Sequence, residues 1–346
     1  MVTKHHDGYA LFDLPPTSSK RTSVALPPHR DFVREIFDAA TKYQPHLRRG
    51  SYYSIPEWFH PDYVKYGFGS WPGGLAKDPF TNRTLPYTGY VPITDYFQDL
   101  LLPSMEALGS AGTEIMWCDI GFAPNVTIPF AAQWYNSAAA LGKQVTMNNR
   151  CGLSGDFDTP EYPRSSPPVV RPRKYEVNQG IDPYSYGYNA ATPEQAYMNA
   201  SAIVKTLVDT NSKNGNFLLD IGPKSDGSIV DAEVRALTEA GAWIKDHVEA
   251  IFRTKSWFVS PQEGESIRFA VSEDAFYIYL LKWPGERVVI ESPVPWVEGD
   301  NITIVGGNLA GRVVPSRKDE AGRLVIDVRK ETEEADKWVW IFKITY

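Results

Sequence analysis

At 346 residues the chain is long enough for two domains, or one large domain with an appendage, and its 42% hydrophobic content supplies a sizeable core. Its net charge of −7 comes from interspersed acids and bases without a basic stripe, so no nucleic-acid partner is expected. No apolar run has the length of a transmembrane helix, so no membrane partner is expected either.

The chain opens on Met1-Val-Thr-Lys-His-His-Asp7-Gly8-Tyr9, a polar motif with no apolar segment of the signal-peptide kind. His5, His6 and Asp7 are ligand types for a metal, but adjacent residues on a strand point to opposite faces, and the whole chain holds only 6 His. A His-based metallohydrolase therefore ranks low, and no metal or cofactor is called for. Residues 27–43 predict a helix with Phe32, Val33, Ile36, Phe37 and Ala40 on one apolar face. Ser51-Tyr-Tyr-Ser54 reads as a strand and Ile55-Pro-Glu-Trp58 as a loop. Residues 60–92, rich in Gly, Pro and aromatics, read as a surface insertion, followed by a helix over 96–108.

Thr113-Glu-Ile-Met-Trp-Cys-Asp119-Ile-Gly121 predicts a buried strand that delivers one carboxylate to its C-terminal end, where parallel α/β folds place their chemistry. A helix over 130–141 and a strand over 144–150 follow, and then a Pro-rich, aromatic-rich connection over 151–190 that contains Thr159-Pro-Glu161-Tyr162. Thr192-Pro-Glu-Gln195 predicts a helix start, with the helix running to 209. Asn216-Phe-Leu-Leu-Asp-Ile-Gly222 reads as a strand, and 230–253 as a long helix with Val234, Leu237, Ile244 and Val248 on one face and Gly241 allowing close approach.

This alternation means βα units and a parallel sheet, and the polar strand ends favour a (β/α)8-like barrel over a doubly wound sheet. No Gly-rich phosphate loop follows any strand. After residue 254 the pattern changes to short strands without helical period, which predicts a C-terminal all-β sandwich over 254–346 beside a catalytic α/β region over 1–253. Cys118 and Cys151 are too few for a disulfide framework. They lie on strands that could be neighbours, which leaves a bridge open, but two buried thiols are the favoured reading. Four sequons, at Asn82, Asn125, Asn199 and Asn301, lean towards secretion.

Two carboxylates stand out by placement: Asp119 at a strand end and Glu161 in the aromatic loop. Alone, Asp119 could equally cap a turn. A paired acid system needs one ionised and one protonated member. Arg150, where its strand is adjacent, would hold Asp119 ionised, and partial burial between Pro160 and Tyr162 would keep Glu161 protonated. Retaining glycoside hydrolysis uses such a pair about 5–5.5 Å apart, a distance that sequence spacing does not give.

The chain resembles the family 29 glycoside hydrolases, the α-L-fucosidases. The matching pieces are Thr3-Lys-His-His-Asp-Gly8, Gly50-Ser-Tyr-Tyr-Ser54 with Glu57-Trp58, Met116-Trp-Cys-Asp119, Asn148-Asn-Arg150, Thr159-Pro-Glu161-Tyr162, and Asn214-Gly-Asn-Phe-Leu-Leu-Asp-Ile-Gly-Pro223 with Asp226-Gly227, in family order. Members usually carry Trp-Phe-Asp and Asn-Asp-Arg where this chain has Trp117-Cys-Asp119 and Asn148-Asn-Arg150. The resemblance implies Asp119 as nucleophile and Glu161 as general acid and then base. It implies His5 and His6 on sugar hydroxyls, Trp117 lining the pocket (packing under the sheet is its structural alternative) and Arg150 orienting the acids. Tyr52 or Tyr53 would reach the nucleophile or the ring, and the position beside the strand end favours Tyr53. The implied ligands are fucosylated glycans or small fucosides. The implied compartment of the full-length protein is extracellular or lysosome/vacuole-like. The family also begins with a strand that has no counterpart here, so a barrel lacking its first strands, an N-terminally truncated chain, is expected. The alternative function is a catalytically impaired fucoside-binding fragment of the same fold.

Overall fold

In the computed structural model, which describes residues 1–66, 74–121, 123–162 and 170–346, the strand patterns read from the sequence resolve into parallel ladders. Residues 67–73 and 163–169 of the two long connections, and Phe122 after Gly121, lie outside the described residues. Contacts group the chain into two units, Met1–Asp158 and Thr159–Tyr346.

In the first unit, strands β1 (Val2–Lys4), β2 (Gly50–Ser54), β3 (Ile115–Asp119) and β4 (Thr146–Met147) form one parallel sheet in sequence order. Tyr52 lies opposite Trp117 and Ser54 opposite Asp119. Because side chains alternate along a strand, Tyr52, Ser54, Trp117 and Asp119 share one face. Ser51, Tyr53, Met116 and Cys118 take the other and are 0% exposed. That buried face packs on α1 (Phe32–Tyr43), α2 (Leu102–Ser110) and α3 (Pro124–Ala140) through Val33, Phe37, Met105, Leu108, Phe130 and Trp134.

Several expected boundaries move, each for a local reason. The first helix begins at Phe32, not at 27, because the Asp31 carboxylate accepts the Arg34 amide at 2.9 Å and caps it. Its buried stripe is Val33 and Phe37, while Ile36 is 48% exposed. The helix expected over 96–108 opens with a π-helical turn, Phe97–Leu101, before α2. Helix α3 starts at Pro124, ahead of the expected 130, since proline's missing amide hydrogen costs nothing in a first turn. The strand expected over 144–150 shrinks to Thr146–Met147. Beyond it the Asn148 side chain takes over the ladder, accepting from the Cys118 amide and donating to the Cys118 carbonyl, both at 2.9 Å. The same pairing brings Cys151 beside β3, and Cys118 and Cys151 form a disulfide with a Cα–Cα distance of 5.0 Å, which corrects the reading of two thiols.

In the second unit, β5 (Tyr175–Gly180) and β6 (Gly215–Asp220) pair in parallel, with Gly180 opposite Asp220. Strand β5 was hidden from the sequence reading by the Pro-rich connection around it. Helix α4 (Ala200–Ser212) is capped by Asn199, whose side chain accepts from the Ala202 amide. The expected cap, Thr192, instead donates to Asp182 at 2.6 Å, and only one 3-10 turn follows it, Glu194–Ala196. The long helix breaks at His247 into α5 (Asp231–Asp246) and a turn, Val248–Ile251. Its buried stripe is Glu233, Ala236, Ala240 and Trp243. Leu237 and Ile244 of the expected face pack partly buried against the same core, whereas Val234 and Val248 are about half exposed and a Cβ on Gly241 would meet nothing.

The C-terminal strands pair antiparallel, and a short helix, Lys330–Glu334, interrupts the region expected to be all β. One sheet includes Ile267–Val271, Ala275–Leu280, Ile302–Val305 and Trp340–Thr345, and a second contains Arg287–Ile290, Ser316–Lys318 and Leu324–Asp327. Ala275–Leu280 is buried on both faces. Phe276, Ile278 and Leu280 pack against Val288, Ile290 and Ile326 of the second sheet. Tyr277 and Tyr279 join the core of Val204, Val208, Ala240 and Trp243 from α4 and α5. The expected boundary at 253/254 therefore falls inside one contiguous unit.

Candidate active site

Asp119 ends β3 with its residue surface 8% exposed, and its partners Arg150, Ile120 and Tyr52 belong to the first unit. Arg150 donates from Nη1 to Oδ1 at 2.7 Å, and the Ile120 amide donates to the same oxygen at 2.9 Å. The Tyr52 hydroxyl donates to Oδ2 at 2.6 Å, with His6 Nε2 3.5 Å from that oxygen. A cation on one oxygen and a phenol on the other fix the carboxylate's plane and aim. Burial, then the charge of Asp119, push the Tyr52 phenol well above its ordinary value, so it stays a donor.

Aromatic rings surround this carboxylate. His5 stacks on Tyr52 at 5.6 Å between centroids, Tyr52 stacks on Trp117 at 5.4 Å, and the Arg150 guanidinium lies 5.3 Å from the Trp117 ring centre. His6 lies 4.6 Å from Trp58, ring centre to ring centre. Trp117 is thus on the Asp119 side of the sheet and not packed beneath it. Strand β1 ends at Lys4, so His5 and His6 sit on the turn beyond it and escape strict alternation: His5 is exposed and His6 is buried, yet both rings reach the site.

Tyr53 does not reach it. Its ring is fully buried on the opposite face, beneath the Lys4 ammonium at 4.5 Å, and Tyr52 is the tyrosine that bonds Asp119. This correction follows from register: Ser54, not Tyr53, lies opposite Asp119, and a step of two residues returns to Tyr52. Trp58, matched only as part of the Glu57-Trp58 motif, joins the site as well.

Glu161 belongs to the second unit. Its segment runs parallel beside β5: the Tyr162 amide donates to the Asn178 carbonyl and the Asn178 amide to the Pro160 carbonyl, both at 3.1 Å. The Tyr162 hydroxyl accepts from the Gly180 amide at 2.9 Å, and Tyr186 packs on Tyr162 while bonding the Asn178 side chain. Glu161 itself is exposed, which corrects the expectation of partial burial. A further acid was missed. Asp220, at the end of β6, has a buried Oδ2 without a hydrogen-bond partner among the described residues, and burial, with Glu233 adding to it, pushes it up to about 6.

Burial, reinforced by His5, pulls His6 down from 6.5 to about 3, and burial lowers His5 as well, so the site histidines are neutral near pH 7. Below pH 6.5 the unfolded chain binds a proton at residue 6 that the native chain refuses, so stability falls as pH drops from 6.5 towards 3. One such group contributes at most about 1.4 kcal/mol per pH unit. His6→Gln is expected to flatten this slope in urea-unfolding curves taken across that range. Parallel curves for parent and variant would assign the slope elsewhere.

A profile described as "Alpha-L-fucosidase" matches residues 1–249. The chain is 30% identical over 300 residues to a tissue alpha-L-fucosidase of Bos taurus, covering 85% of this chain and 60% of that protein. It is 30% identical over 315 residues to the tissue enzyme of Homo sapiens, covering 88% and 63%. Among solved structures it is similar to a Thermotoga maritima alpha-fucosidase in complex with a mechanism-based inhibitor, with TM-score 0.74, 26% identity, and 100% of this chain and 74% of the other covered. The chain spans about 60% of the length of these curated relatives.

Proposed function

The chain belongs to the alpha-L-fucosidase family, and on that premise we propose that it is a retaining exo-glycosidase that removes terminal α-L-fucose from glycoconjugates or oligosaccharides by double displacement. The observation that carries the proposal is the Asp119 carboxylate, gripped by Arg150 and Tyr52 beneath a wall of His5, Trp117 and Trp58. In this reading Asp119 attacks the anomeric carbon while Glu161 gives its proton to the departing oxygen. Water then attacks the fucosyl ester, Glu161 takes the water's proton, and Asp119 leaves. Tyr52 holds the nucleophile, and His5, His6, Trp117 and Arg150 contact the sugar or orient the acids. Residues 1–253 supply the (β/α)8-like barrel portion and 254–346 the β-sandwich. An impaired fucoside-binding protein is not favoured, because Arg150, the Ile120 amide and Tyr52 all donate to Asp119, as the nucleophile reading requires.

Hydrolysis of an aryl α-L-fucoside followed by proton NMR tests this. The α anomer of fucose should appear first and mutarotate afterwards. The β anomer first would overturn retention, and no release would overturn the enzyme reading. The Cys118–Cys151 bridge and the four exposed sequon asparagines support an oxidising extracellular or lysosome/vacuole-like compartment, which non-reducing peptide mapping of the secreted protein would check.

A further inference from the structure

Behind the aromatic wall lies a buried charge cluster that the reaction above does not use. Lys4 Nζ donates to Glu57 Oε1 at 2.9 Å, with side-chain exposures of 1% and 2%. The Tyr87 hydroxyl donates to the other oxygen, Oε2, at 2.5 Å, and Lys4 rests on the Tyr53 ring. A well-packed apolar pair would serve the fold as well as a buried ion pair, so the charges call for another explanation.

Their neighbours in sequence provide it. Lys4 immediately precedes His5 and His6, and Glu57 immediately precedes Trp58. The Trp58 amide donates to the His6 carbonyl at 2.8 Å, joining the two loops that the ion pair also joins. Gly8, at φ +84°, folds the histidine loop back so tightly that a Cβ there would stand 2.5 Å from Glu57 Oε2 and 2.7 Å from the Tyr87 hydroxyl. Hydrogen bonds in fixed directions set the register of two loops, which an apolar contact, able to slide, does not.

We propose that Lys4, Glu57 and Tyr87 are positioning residues that hold His5, His6 and Trp58 in register with Asp119. This rests on the fucosidase reading for its kinetic consequence but not for its structural one. A displacement on the order of 1 Å in groups that contact a reacting substrate costs about 10²-fold in rate.

The test uses the full chain with Lys4→Met and Glu57→Met combined, which removes both charges and keeps apolar volume. The double variant is expected to melt close to the parent while kcat on an aryl α-L-fucoside falls about 10²-fold with KM within a few-fold. The His5 and His6 ring resonances should also shift in the unliganded protein. Unchanged kcat/KM with unmoved resonances overturns the proposal. If the parent itself releases no fucose, the enzyme reading fails separately and the resonances still decide the positioning role. Should the double variant not fold, Tyr87→Phe removes a single hydroxyl. It should lower kcat several-fold and shift the same resonances, and wild-type values for both again overturn the proposal.

Discussion

Asp119→Gly is expected to slow hydrolysis of an aryl α-L-fucoside by about 10⁴-fold or more, because the first step loses its nucleophile. Added azide should restore turnover and give β-L-fucosyl azide, the inverted product, by entering the space the carboxylate leaves. The site supplies the reason for expecting both effects. Arg150, the Ile120 amide and Tyr52 all donate to Asp119 and lie within one unit, so the acceptor they converge on is its carboxylate. Deleting it leaves the Arg150 guanidinium, 21% exposed, without that counter-charge, so the variant should also lose about 1–3 kcal/mol of stability. Activity within tenfold of the parent would remove Asp119 from the nucleophile's role.

How much of this was legible beforehand depends on which interaction sets each feature. Strand β3 and its terminal acid were readable because an apolar run that ends in one carboxylate is a local signal. The choice between Tyr52 and Tyr53 was not, because it depends on register against a neighbouring strand, and a one-residue error exchanges the two faces. The disulfide depends on the same ladder: the sequence leaves the two strands as possible neighbours, and only the pairing of β3 with β4 decides between a bridge and two thiols. Helix α5 misled in another way. Its Val234 is about half exposed and Leu237 and Ile244 are only partly buried, while the small side chains of Ala236 and Ala240 let the helix sit close to the core with Trp243. Size, read as burial, placed Leu237 and Ile244 against the core but also chose Val234 and Val248, which are exposed, over the alanines. Glu161 stood in a motif, yet its exposure and its alignment along β5 needed a strand that proline-rich flanks had concealed.

Glu161→Ala should behave differently from Asp119→Gly in three ways, and the contrast makes the assignment decisive. A fucoside with a poor, alkoxide leaving group should lose about 10²–10⁴-fold, because that oxygen needs a proton as it departs. An activated aryl fucoside needs little help in the first step, so it should still form the fucosyl ester, which then accumulates as a burst because the water lacks its base. Azide needs no base and should discharge the ester to α-L-fucosyl azide, the retained product, opposite to the Asp119 variant. Asp220 is the natural rival, since it ends β6 in the same unit as Glu161 and is pushed up to about 6, in the range where a proton donor works near neutrality. Asp220→Asn should leave azide without effect and keep the ratio of activated to unactivated rates at its parent value. If azide instead rescues Asp220→Asn with retention and does nothing for Glu161→Ala, the acid/base role moves from the loop to the strand end.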